Sequence, residues 1–337
     1  MSRTGKRGQA KLTRSNVDTI SEGETLDELF NIYIYSKEAE GLAKTTIQNK
    51  KHYYKTFSNY LKEYHSISFP DEVTVNTIRE LMNYLKNDHI QHQNNPNVKD
   101  RHKVQGVSIA TVNSILRHMK AFYNFLIDEK YVGSNPLLNI KQLKEVSEIE
   151  SLSIEQVKAL LKQPDQRSYA GFRDYVMMFL LLDTGMRISE AIGLRREDID
   201  LKTNVIELRS ATTKNRKTRY VPITQKTNKL LRELLAETEE FSTPFIFTTV
   251  YGNPIEPARF RQRIKKYGVS AGIKDKRCSP HTFRHTFAKQ YLLNNGDIMT
   301  LQKILGHSSI EMVRKYVNMT DKDIFSQHNK FSPMNNM

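Results

Sequence analysis

A chain of 337 residues is longer than one hydrophobic core usually organises, so two domains are expected, each burying its own core. Lysine and arginine number 52 against 37 acidic residues, a formal charge of +15, which makes a polyanion the natural partner and nucleic acid the leading candidate. The single cysteine, Cys278, excludes an intramolecular disulfide and a cysteine-rich zinc site, and with no long apolar run or signal segment the expected setting is soluble and cytoplasmic, not membrane-bound.

Residues 1–22 form a basic arm carrying Arg3, Lys6, Arg7, Lys11 and Arg14, a composition that follows phosphates or merely solubilises, and the sequence does not separate the two. From 23 to 135 the pattern is helical, with apolar residues at helical spacing in Leu26, Leu29, Phe30 and Tyr33 and again in Ile47, Tyr54, Phe57 and Leu61. Helices are expected over roughly Val75 to Leu85 and Val107 to Ile127, separated by a polar loop from Asn87 to Gly106. The loop histidines His89, His92 and His102 lack the close paired spacing of metal ligands and read as solvated. Gly133-Ser134-Asn135-Pro136 ends the helical region, and the charged stretch 136–150 reads as a linker.

The second domain, 151–337 with a C-terminal tail, opens on Ser153-Ile154-Glu155-Gln156, a capping-box spacing that starts a helix near Ile154. The nearly all-apolar stretch Tyr175 to Leu182 predicts a buried helix, ended by Gly185. Val205 to Leu208 and Arg219 to Ile223 alternate as strands around a strongly basic turn, a hairpin with a cationic tip. From Thr227 onward the chain is mostly helical, with a short helix expected near Asp321 to Ser326. The fold class is therefore mainly α with a small antiparallel sheet, and with no glycine-rich phosphate loop no nucleotide is expected.

Four separated segments place basic or nucleophilic residues at element boundaries: TGMRISEAIGL from Thr184, TKNRKTRYVPI from Thr213, PHTFRHTF from Pro280, and LGHS from Leu305 with Tyr316 beyond. In order and spacing they closely resemble the tyrosine recombinase, or phage-type integrase, family over roughly residues 150–318. That resemblance implies an α+β catalytic domain behind a helical, SAM-like core-binding domain at 23–135, and an enzyme that cuts and rejoins DNA through a 3′-phosphotyrosine intermediate. It assigns Arg187 and Arg284 as phosphate-binding arginines, Glu190 as the acidic companion of Arg187, Lys214 as the hairpin lysine, His281 and His307 as the site histidines, and Tyr316 as the nucleophile. It further implies double-stranded DNA as partner, a homotetramer on two duplexes, a tail packed on a neighbouring protomer, and no metal or other cofactor.

The chemistry stands apart from the family. Charge grows on the non-bridging oxygens of a phosphodiester under attack, and the guanidiniums of Arg187 and Arg284 supply forked donors that stay charged at any relevant pH. His281 and His307 can donate or exchange a proton near neutrality. A tyrosine is a poor nucleophile at its free pKa of about 10, but cationic neighbours favour the phenolate and His281 can accept its proton. The leaving 5′-oxygen needs a proton, which Lys214 at the hairpin tip can give; Lys217 in the same turn is its rival.

Each residue alone also has an ordinary explanation. Arg187 with Glu190 reads as a helical salt bridge, His281 with His285 as a pair one turn apart without a third zinc ligand, and Tyr316 beside Met312, Val313 and Val317 as a core aromatic. Their joint order is what points to recombination, with integration and excision of a mobile element favoured by the basic arm. A dimer-resolving recombinase, a non-cleaving DNA-binding protein and a type IB topoisomerase are the alternatives.

Overall fold

The computed structural model describes residues 23–90, 104–145, 150–209, 217–241, 243–307, 309–314 and a few positions of the C-terminal tail. The basic arm, His92, His102, Lys214, Tyr316 and most of the segment expected as a last short helix lie outside the described residues. The chain divides into two compact units at Ser147 and Glu148.

The first unit is helical. Its helices are α1 (Leu26–Ala39), α2 (Lys44–Tyr60), α3 (Val75–Asn87) and α4 (Ile109–Asp128). Thr25 caps α1 in a reciprocal box with Glu28, and Ser108 caps α4, so local side chains satisfy the first-turn amides. The periodic residues read from the sequence form the core: Leu29, Tyr33, Phe57, Leu61, Ile78, Leu81 and Phe122 are each at most 1% exposed. Phe30 stacks on Tyr54 with ring centroids 3.6 Å apart, and Phe122 meets both rings edge-on.

Two details differ from the sequence expectation. His89 is half-buried with its ring edge-on to Tyr84, and the flanks of its loop meet in a bridge between Ile90 and Gln105, so this histidine packs instead of standing in solvent. The stretch expected as a linker from 136 is, as far as Leu143, part of this unit. Leu137 is 1% exposed, and the Asn113 side chain donates to the Leu143 carbonyl at 2.9 Å and accepts from its amide at 2.8 Å. The charged composition hides this return, because an asparagine on α4 pairs with backbone, which carries no sequence pattern.

The second unit contains α5 (Ile154–Leu161), α6 (Tyr169–Thr184), α7 (Ile188–Ile192), a sheet of β1 (Ile199–Asp200), β2 (Val205–Leu208) and β3 (Arg219–Pro222), then α8 (Gln225–Glu237), α9 (Pro257–Ser270), α10 (Pro280–Leu293), α11 (Ile298–Leu305) and α12 (Glu311–Arg314). The strands run antiparallel in the order β1-β2-β3, with Leu208 opposite Arg219 as the last pair before the hairpin turn. The two-residue β1 is too short to show in the pattern. Central to the unit is α6, whose Val176, Met177, Leu180 and Leu181 are fully buried and which packs against α8 and α10. Ser153 caps α5 in the predicted box with Gln156, and the Leu152 amide just before it donates to Thr286 Oγ1 on α10 at 2.9 Å. Among the described residues no helix is long and apolar enough to cross a membrane.

Candidate active site

The site is assembled from three chain reversals in the second unit. The apolar helix α6 ends on Gly185 in the left-handed region at φ 61°. A side chain is excluded there twice over, because a β-carbon would stand 2.3 Å from Phe287 Cδ1 and 2.8 Å from Leu305 Cδ2. The chain then restarts as α7 with Arg187 at the N-cap, where the Glu190 carboxylate accepts from the Arg187 amide at 2.8 Å and from its Nη1 at 3.0 Å.

The second reversal is the start of α10, capped by Ser279 with Pro280 at the first position, which places His281 in the first turn and Arg284 one turn on. Arg284 is 5% exposed, and its donors are directed in three ways: Nη1 to the Gly185 carbonyl at 2.7 Å, and Nη2 to the Leu305 carbonyl at 2.7 Å and to His307 Nε2 at 2.8 Å. Carbonyl oxygens orient the guanidinium without neutralising its charge. The third reversal ends α11 at Gly306, again left-handed at φ 65°, and presents His307, whose amide donates to the Gln302 carbonyl at 3.1 Å.

Of the residues that the sequence singles out, Arg187, Glu190, His281, Arg284 and His307 are thus brought together. Lys214 and Tyr316 lie outside the described residues. Two further side chains, given no site role by the sequence pattern, belong to the same cluster. Arg219, on β3, forks onto Glu190, with Nη1 at 3.1 Å from Oε1 and Nη2 at 2.7 Å from Oε2. His285 is half-buried beside His281 and Arg284. In sequence the basic turn points to its lysines, and the importance of Arg219 rests on contacts dozens of residues away in the chain.

The electrostatics follow from this crowding of cations. Burial alone would raise the Glu190 carboxyl, but hydrogen bonds and charge from Arg219 and Arg187 hold it below the usual carboxylate value. Burial first, then the charges of Arg284, Arg187, Arg219 and His285, lowers His307 to about 4. His285 falls to about 4 through burial, His281 and Arg284, and His281 is lowered by desolvation followed by Arg284, Arg261, Arg187 and Arg277. At neutral pH His285 and His307 are therefore neutral, and His307 accepts from Arg284 through Nε2. Fixed guanidiniums beside neutral imidazoles make an anion site of the kind a phosphodiester fits. No cluster of His, Cys, Asp and Glu suited to a metal ion occurs among the described residues.

Residues 150–323 match the model of the phage integrase family, and residues 25–142 that of the phage integrase SAM-like domain. The chain belongs to the phage integrase family. It is a tyrosine recombinase, an enzyme of site-specific recombination that cleaves and rejoins DNA. It is 30% identical to tyrosine recombinase XerD of Staphylococcus aureus over 319 residues, covering 92% of this chain and 99% of that one. To XerD of Lacticaseibacillus casei it is 28% identical over 305 residues, 89% of this chain and 96% of that one. In fold it is similar to the Tn1549 transposon integrase in complex with transposon right end DNA, with a TM-score of 0.71 at 19% identity over 92% of this chain and all of that one. Two matched domain models on either side of residues 143–149 agree with the division into two compact units.

Proposed function

We propose that this recombinase cuts one DNA strand by attack of the Tyr316 hydroxyl on a phosphodiester, forming a 3′-phosphotyrosine bond and releasing a 5′-hydroxyl. The observation that carries the reading is the convergence of Arg187, Arg284, His281 and His307, within electrostatic reach of one another, from three chain reversals of one unit. In the proposed mechanism Arg187 and Arg284 bind the non-bridging oxygens as charge develops on them, and His307, released from Arg284 by the incoming oxygen, takes up a proton and adds a further donor. His281 accepts the phenol proton, and Lys214 protonates the leaving 5′-oxygen, with Lys217 as the rival for that step. The phosphoester bond is retained in the tyrosyl link, so a 5′-hydroxyl from the same or another duplex reverses the step without an external energy source.

The partner is double-stranded DNA, and two duplexes must be held together for strands to exchange, which a homotetramer in the cytoplasm provides. The basic residues of the arm favour a mobile-element integrase over a dimer-resolving recombinase. The test is covalent capture. Nicked duplexes of random sequence, whose cut strand loses a short oligonucleotide, are incubated with the chain and with Tyr316→Phe in the presence of chelator. Denaturant-resistant adducts formed by the wild type and absent from Tyr316→Phe are expected, and sequencing them identifies the site. Tight binding of the recovered site with equal adduct from both proteins would refute Tyr316, and no adduct from either would return the non-cleaving reading.

A further inference from the structure

One side chain on the hairpin bonds to both arms of the anion site. Besides its fork onto Glu190, Arg219 donates through Nε to the Ile304 carbonyl at 2.9 Å. Glu190 is the carboxylate that also holds Arg187, by backbone and by side chain. Ile304 lies two residues before Gly306, and the Arg219 side chain runs directly beneath that glycine, where a β-carbon would stand 3.1 Å from Cδ and Nε. His307 follows immediately. The Glu190 side chain is fully buried and that of Arg219 is 12% exposed, so solvent neither screens nor loosens the arrangement. An exposed ion pair would contribute little, whereas a buried planar fork fixes direction as well as distance. A lysine could meet one of these acceptors but not all of them.

We propose that Arg219 is a positioning residue for strand cleavage: it holds Arg187, through Glu190, in register with His307, through the Ile304 carbonyl and the Gly306 turn. In this role it acts through Glu190 and the Ile304 carbonyl and not on the phosphate itself. The inference rests on Arg187 and His307 being phosphate-binding groups. A purely structural ion pair would stabilise the unit in the same way, so the two readings divide on rate, affinity and pH dependence, not on stability.

The experiment uses the full chain and a nicked duplex carrying the captured site, with Arg219→Lys, Arg219→Gln and, as comparator, Arg187→Gln. Affinity for the duplex, melting temperature and single-turnover adduct formation are measured across the pH range in which histidines titrate. Both Arg219 variants are expected to bind DNA within a few-fold of wild type yet form adduct about a hundredfold more slowly, the usual effect of a small misplacement in an assembled site. Arg219→Gln removes a cation acting on His307, so the histidine limb of its pH profile moves upward; Arg219→Lys keeps the cation and the limb but stays slow. Should Arg219→Gln fail to fold, Arg219→Lys decides alone. Normal cleavage by Arg219→Lys, a loss that cooling reverses in step with melting, or an unmoved limb in Arg219→Gln overturns the positioning role. If Arg187→Gln also cleaves normally, it is the phosphate-site reading that fails.

Discussion

Arg284 donates to the Gly185 carbonyl at 2.7 Å, so the second arginine of the site is held by the turn that launches the first. The bond ties α10 to the end of α6, and the same guanidinium reaches the end of α11 through the Leu305 carbonyl and His307. Arg284 is thus both a phosphate ligand in the proposed mechanism and the junction of the three reversals.

Arg284→Lys tests the junction. A lysine keeps the charge but cannot serve two carbonyls and an imidazole in fixed directions, so adduct formation should slow by about a hundredfold to a thousandfold, as when one aligned donor is lost from a charge-stabilising site. The carbonyls left without a donor should lower stability by about 1–3 kcal/mol. Single-turnover capture and urea unfolding measure the two effects; a lysine variant cleaving at the wild-type rate would show that alignment at Arg284 does not matter.

Gly185→Ala tests the turn itself. The left-handed backbone and the 2.3 Å approach of a β-carbon to Phe287 both oppose a side chain, so a loss of about 2–5 kcal/mol is expected from strain and overpacking together. Cleavage should fall further than stability alone explains, since the displaced carbonyl is the one that Arg284 uses. A urea midpoint equal to that of wild type would contradict the account.

Much of this architecture is legible in the sequence. The helical periods, the hairpin at Val205 and Arg219, the cap at Ser153 and the stop at Gly185 are local signals, each written in a few neighbouring residues. The recombinase boxes are legible because their residues are irregular for their element: an arginine at an N-cap and a histidine beyond a glycine do no obvious packing. Arg219 is not legible as a site residue, because what gives it meaning is a carboxylate 29 residues before it and a carbonyl 85 residues after it. Asn113 and Leu143 are hidden for the same reason, a side chain paired with distant backbone. Lys50, 9% exposed with its Nζ 2.5 Å from Tyr33 Oη, shows the limit of composition, since by type alone it belongs on the surface.

A buried charge network on α6 yields a stability prediction independent of the site. Asp174 is fully buried between Arg173, 2.7 Å away, and Arg263, and also accepts from Tyr267 at 2.9 Å. Asp174→Ala strands the buried Arg173 guanidinium and takes an acceptor from the Tyr267 phenol, and about 3–5 kcal/mol of stability should be lost, as for a buried pair deprived of one partner. Replacing Asp174, Arg173 and Arg263 together by apolar residues of similar volume should cost less than the single change. If Asp174→Ala unfolds at the wild-type urea concentration, the network contributes nothing.

The lowered histidines link both folding and DNA binding to protons. His285 and His307 move from an ordinary value of 6.5 to about 4 on folding, so each favours the folded state while it stays neutral. Above about pH 6.5 that contribution is complete; as pH falls toward 4 the unfolded chain takes up protons that the folded chain refuses, and stability declines. Wild type should therefore lose stability between neutral pH and about pH 5 more steeply than a His285→Gln, His307→Gln double variant. DNA reverses the bias. A phosphate held by Arg187 and Arg284 offsets the cations that depress His307 and favours the imidazolium, so binding should be accompanied by net proton uptake near neutrality. Calorimetric titration of the captured duplex in two buffers of different ionisation heat reads that uptake directly. It should shrink in His307→Gln; binding heats that are the same in both buffers would mean that the phosphate does not reach this histidine.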